Sequence, residues 1–190
     1  MDAFNYLSVL LSIILGLAIT QILKGVRGMV LARGRVRLYW PSLVLAAFLF
    51  MLAVQMWWSS FGLSEVKSWN FGMFTVVLLQ TTTLYLLAAI VLPDFFGEQP
   101  VDLRKHYFEH HRLFFGLFVV TLLISLLKDQ IIGGHPKQGT DLAFHFGFLA
   151  VSLAAAITRN EVFHKIACVA STLAFASYIA LLFTKLPVGG

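Results

Sequence analysis

The chain has 190 residues, a formal net charge of +5, 59% hydrophobic residues and only 12% charged ones, and its mean hydropathy is +0.85. A soluble domain carries about 25% charged residues, so there is too little polar surface here to cover a water-soluble globule. The basic residues cluster between apolar runs, which suits anionic lipid headgroups and argues against nucleic acid as a partner.

The apolar runs predict an all-α polytopic bundle of about six transmembrane spans, with residues 1–190 forming a single transmembrane domain. The spans fall near 5–24, 40–60, 70–92, 108–128, 141–158 and 162–185. The stretch Tyr6–Leu23 is too long for a signal-peptide core, follows Asp2 rather than lysines, and lacks a small-residue cleavage site. It reads as a retained first helix. The longest expected loop runs from Pro93 to Tyr107.

Orientation follows from Lys and Arg. Lys24, Arg27, Arg33, Arg35 and Arg37 occupy the first loop, Arg104, Lys105 and Arg112 the third, and Arg159 and Lys165 the fifth. The opposite side holds Lys67, Lys128, Lys137 and Lys185. The positive-inside rule puts the odd loops in the cytoplasm and both termini outside. Trp57, Trp58 and Trp69 then sit at the outer interface, and Tyr39 and Trp40 at the inner one. Cys168 is the single cysteine, so no disulfide forms within the chain.

In the first span Ser8, Ser12, Gly16 and Thr20 recur every four residues and share one helix face. Such a small-residue stripe serves close helix packing, within the chain or between subunits, or lines a pore. Deeper polar groups are costly in a membrane and are candidates for function. Gln55, Ser125, His145 and Tyr178 fall at comparable depth in the outer half, with Ser8 beside them. Asp141 lies one turn from His145, close enough to touch it. Together they can relay a proton or hold a cation, unless Asp141 or Thr140 merely caps the span. In the third span Gln80 needs an interhelical partner or water, whereas threonines such as Thr83 can satisfy themselves on the preceding turn.

The run His106-Tyr-Phe-Glu-His110-His111 places two imidazoles on one face, as a metal clamp would. It resembles one histidine box of the membrane-bound di-iron desaturases. Those enzymes need several boxes, and on this side only His164 remains to join. Two haem-ligating histidines at matching depth are also missing. No resident cofactor is expected. No G-x-S-x-G, C-x-x-C, H-E-x-x-H or P-loop pattern occurs, and no mid-span aspartate pair, so the sequence supports no intramembrane protease.

The opening Phe4-Asn-Tyr-Leu-Ser-Val-Leu-Leu-Ser-Ile-Ile-Leu-Gly, with Tyr39-Trp-Pro and Gln55-Met-Trp-Trp, resembles an uncharacterised family of small polytopic bacterial inner-membrane proteins. The resemblance covers mostly the first two spans and implies a multi-pass inner-membrane location without a function. The six-span plan is also loosely similar to small bacterial relatives of the lysosomal potassium channel. The Arg-x-x-x-Phe-Ser-Asp-Gly motif of that family is not found; Tyr6-Leu7-Ser8-Val9 is the nearest stretch.

Three functions are compatible with these features. The first is a homo-oligomeric channel or small transporter for a cation or proton, lined by Ser8, Ser12, Gln55, Gln80, Thr83, Asp141 and His145, with His145 and Asp141 setting its pH dependence. The second is a non-transporting module that binds a lipid, small ligand or partner protein through the Ser8–Thr20 stripe and the Trp57/Trp58 rim. The third is a metal- or haem-dependent membrane enzyme built on His106 and His110.

Overall fold

A computed structural model describes residues 3–94, 100–133 and 139–182. Six helices are long and apolar enough to cross a membrane: α1 (Ala3–Leu31), α2 (Trp40–Ser60), α3 (Phe71–Ile90), α4 (Leu103–Gly133), α5 (Gly139–Ile157) and α6 (Glu161–Leu182). The chain is a multi-pass membrane protein of all-α class. Its outward girdle, with Val9, Ile13, Leu113, Leu123 and Leu173 exposed, is what hydrocarbon requires of a surface.

Local sequence explains most helix ends. Pro41 stands at the first turn of α2, where its missing N–H costs nothing. Asn70 caps α3 by accepting from the Met73 N–H at 2.9 Å. Asp102 accepts from the Arg104 and Lys105 N–H groups at 2.9 and 3.0 Å. Asn160 accepts from Val162 and Phe163 at the start of α6. Each satisfies orphan donors of a first turn.

Two expected loops are partly helical. No proline interrupts residues 24–31, so α1 continues through Lys24 and Arg27 to Leu31. α4 starts at Leu103, which places Arg104, Lys105, His106 and Tyr107 on a helix, and it runs on through Lys128. At 29 and 31 residues, these helices reach about 43 and 46 Å at 1.5 Å per residue. That exceeds the hydrocarbon thickness of about 30 Å, so their charged turns lie beyond it. Lys137, Lys185 and His135 fall outside the described residues.

α3 packs mainly against α1 and α4; α5 packs on α4 and α6, and α2 on α1 and α6. At the basic end the links are polar. Val36–Arg37 (β1) pairs in parallel with Val101–Asp102 (β2). Arg104 donates through Nε and Nη2 to Glu161 Oε2 at 3.0 and 2.7 Å, and Lys165 reaches the same carboxylate at 2.9 Å. Tyr39, expected in an interfacial belt, is buried instead, against Tyr107 and Phe108. Its extended backbone just before α2 turns the ring inward. Burial, reinforced by the nearby Glu161 carboxylate, pushes its phenol up to about 12, so it stays neutral at physiological pH.

At Gly25 α1 passes close to Leu92, two residues beyond the end of α3. A Cβ there would lie 2.7 Å from Leu92 Cβ, an atom fixed to the backbone. Gly25→Val is expected to destabilise the protein by about 1–3 kcal/mol through overpacking, read as a lower Tm in detergent. Gly16→Ala meets no atom within 4 Å and is expected not to lower it.

Candidate functional site: a polar cavity opposite the basic end

Residues of all six helices line a cavity of about 450 Å³. It reaches the bundle end formed by the last residues of α2, Ser59 and Ser60, by the turn after it, at Gly62 and Leu63, and by the last turns of α4, at Lys128, Asp129 and Gly133. Leu11, Leu15 and Leu52 supply apolar wall, and Phe48, Phe118, Phe148 and Phe175 line the inner part. Phe48 stands at the centre of that aromatic layer, with ring centroids 5.8, 6.3 and 4.9 Å from Phe118, Phe148 and Phe175. Behind the layer lies a void of about 20 Å³ that shares Phe48, Phe118 and Phe148 with the cavity and is bordered by Ser152 and Cys168.

The polar lining divides into two sets. In the first, Thr81 and Thr121 hydroxyls donate to carbonyls of their own helix, which leaves them little to offer a ligand. The side-chain amides of Gln55 and Gln80 line the cavity without a hydrogen bond to any described protein group.

The second set is a chain of bonded side chains. Ser125 on α4 lies 3.3 Å from His145 Nε2 on α5. His145 Nδ1 lies 3.4 Å from Asp141 Oδ1 and 3.3 Å from the Asp141 backbone carbonyl. Tyr178 on α6 donates to the same Asp141 Oδ1 at 3.0 Å. Both oxygens facing Nδ1 are acceptors, so in the neutral ring Nδ1 carries the hydrogen. Nε2 is then the lone-pair nitrogen, and the Ser125 hydroxyl donates to it.

Three residues expected in the lining, Gln55, Gln80 and His145, converge on this cavity, and Asp141 touches His145 from one turn away. Asp141 is not the cap of α5, because the helix already starts at Gly139; its carboxylate is turned to His145 and Tyr178. Ser8, Ser12 and Thr83 lie elsewhere. α1 buries Leu7, Leu11, Leu15, Ala18 and Ile22, and the Ser8–Thr20 stripe, one residue on, is turned about 100° away. Ser12, Gly16 and Thr20 are exposed, and the three hydroxyls return to Asn5, Ser8 and Gly16 carbonyls. Thr83 is buried and donates to the Gln80 carbonyl at 2.9 Å.

In the histidine run at the basic end each ring has one nitrogen hydrogen-bonded to a backbone carbonyl. His106 Nε2 donates to the Ile90 carbonyl at 3.0 Å, and His110 Nδ1 to that of His106 at 2.9 Å. His164 pairs with the Tyr107 hydroxyl and the Thr158 carbonyl. Among the described residues no three His, Cys, Asp or Glu side chains stand close enough to hold a metal ion.

Thr121, Lys128 and Asp129 also line the cavity without having been singled out from the sequence as lining. The signal was present: with Ser125 and Ile132 they recur at steps of three and four along one face of α4.

On a Cys168→Ala background, Gln55→Cys and Gln80→Cys are expected to react with a small water-soluble thiol reagent, and Thr83→Cys is not. Labelling rates read by mass spectrometry check this; equal protection at all three positions would mean that water does not reach the cavity.

Comparison with protein-family models, with curated proteins and with solved structures finds no match to this chain.

Proposed function

We propose that this multi-pass protein lies in a bacterial inner membrane and binds a small amphiphilic molecule in the cavity, which faces outward under the positive-inside rule. The carrying observation is the pair of amides, Gln55 and Gln80, that line the cavity without a partner among the described residues. Polar groups inside a bilayer-spanning bundle demand a hydrogen-bond partner, and here it must come from what occupies the cavity. At about 450 Å³ the space falls in the range of small-molecule sites, about 300–1,000 Å³. Leu11, Leu15 and Leu52 would face the ligand's apolar part, and the amides its polar head. The aromatic layer around Phe48 makes a floor, which favours binding over continuous passage.

A second reading, transport of a cation or proton, is supported by the void behind the floor. Its volume, about 20 Å³, is enough for one water. A rotation of Phe48 or Phe118 would join it to the cavity. The exposed Ser8–Thr20 stripe offers a face for a second copy, as a homo-oligomer requires.

Reconstitution separates the two. Purified protein is expected to retain an amphiphile detectable by native mass spectrometry, with occupancy reduced at least tenfold in Gln80→Leu. Liposomes containing the protein are expected to pass neither protons nor potassium above the empty-liposome level. Flux that rises in Phe118→Ala, without a retained amphiphile, would favour transport.

A further inference from the structure

The bonding of Ser125 sets it apart from its neighbours. Ser12, Thr20, Thr81, Thr121, Thr172 and Ser177 donate back to carbonyls of their own helices. That is the ordinary fate of a hydroxyl on a membrane helix. Ser125 instead meets an imidazole on another helix, at 3.3 Å, and lines the cavity. The imidazole presents its lone-pair nitrogen to the hydroxyl and its N–H to the Asp141 backbone carbonyl at 3.3 Å, with the Asp141 carboxylate 3.4 Å from the same nitrogen. Nucleophile, base and orienter thus stand in the order a serine hydrolase uses. Distances of 3.3–3.4 Å are at the loose end, as in sites that tighten when substrate arrives.

We propose that the cavity is an acyl-transfer site, with Ser125 the nucleophile and His145 its general base, acting on a carboxylic ester of an amphiphile. This rests on the ligand-binding reading of the same cavity. Ser125 Oγ adds to the ester carbonyl carbon while its proton passes to His145 Nε2. The acyl–alkoxy bond then breaks, and the alkoxide takes that proton and leaves as an alcohol. Water from the open end of the bundle adds to the acyl carbon, giving a proton to Nε2. Ser125 Oγ departs and recovers the proton, so ester and water become acid and alcohol without oxidation or reduction.

Gln55 and Gln80 supply N–H donors for the negative oxygen that develops on the carbonyl, the role that oxyanion donors fill elsewhere. Asp141 is a positioning residue: its backbone carbonyl keeps the hydrogen on Nδ1, and its carboxylate, 3.4 Å away, balances the charge that develops on the ring. Tyr178, through Asp141 Oδ1, holds that carboxylate in place. An ester fits the surroundings because its acyl chain has an apolar approach. Phe144 and Phe148 line the cavity and also a groove of small apolar residues, Ala143, Gly147, Ala170 and Ala174, between α5 and α6.

The test uses the full chain in detergent with an alkyl fluorophosphonate, read by intact mass and by tandem mass spectrometry. One adduct is expected, localised to Ser125 in the wild-type protein and lost in Ser125→Ala. His145→Gln is expected to slow labelling at least 100-fold, in line with general-base contributions. Asp141→Asn is expected to lower the maximal labelling rate while leaving the probe's half-saturating concentration unchanged, which a merely structural role would not do. Ser12→Ala serves as the control and labels like wild type. Reversible binding of the probe without an adduct, or an adduct elsewhere, would overturn the nucleophile and leave the binding reading standing. Neither binding nor adduct would overturn both.

Discussion

A polar group in hydrocarbon has no water to turn to, so it must be satisfied by the protein or face a cavity. The rest of this structure follows from how that constraint is met. Most hydroxyls meet it cheaply, by donating to a carbonyl one turn back. Groups too long or too rigid for that solution had to be brought together. Gln55, Gln80, His145 and Tyr178 come from four different helices, and no single helix could have satisfied them. Their convergence on one cavity accounts for the bundle being hollow at this end.

The two ends of the bundle solve the problem differently. At the basic end, charge meets charge across helices: Arg104 and Lys165 share Glu161, and Asp102 both caps α4 and lies 3.7 Å from Arg37. These exposed pairs add little stability individually, but they tie α4 to α6 and to the segment before α2. His106, His110 and His164 hold backbone carbonyls and a tyrosine hydroxyl there, so these imidazoles take part in the packing of that end. At the other end charges are fewer and the interior is open. Between the ends stands the phenylalanine layer around Phe48, whose tilted rings pack at the separations aromatic pairs favour.

His145 joins the cavity's chemistry to its architecture. Its tautomer is set by Asp141, and Asp141 is held by Tyr178, so α4, α5 and α6 are connected through one ring. An imidazole fixed in this way offers a lone pair to a hydroxyl at the wall of the cavity. That is a local arrangement with chemical consequence, whatever molecule fills the space.

Much of this was legible in the chain. Apolar runs of span length, caps such as Asn70 and Asn160, and the i, i+4 spacing of Asp141 and His145 depend on neighbours close in sequence, so sequence alone determined them. Depth was legible as well: Gln55, Ser125, His145 and Tyr178 lie at similar distances from their span ends. Helix ends past the hydrocarbon were not, because a charged turn such as Arg104–Tyr107 is equally compatible with helix or loop until packing decides. Nor was facing. Ser8 and Ser12 share the depth of the polar set, yet α1 commits its leucine face to the core and turns them outward, because burying Leu7, Leu11 and Leu15 is worth more than burying two hydroxyls already satisfied by their own helix. The partnership of Ser125 with His145 joins two helices and leaves no pattern in either. Sequence determined which polar groups had to be accommodated and at what depth; tertiary structure alone decided which of them meet, because rotation of each helix about its axis is set by packing against the others.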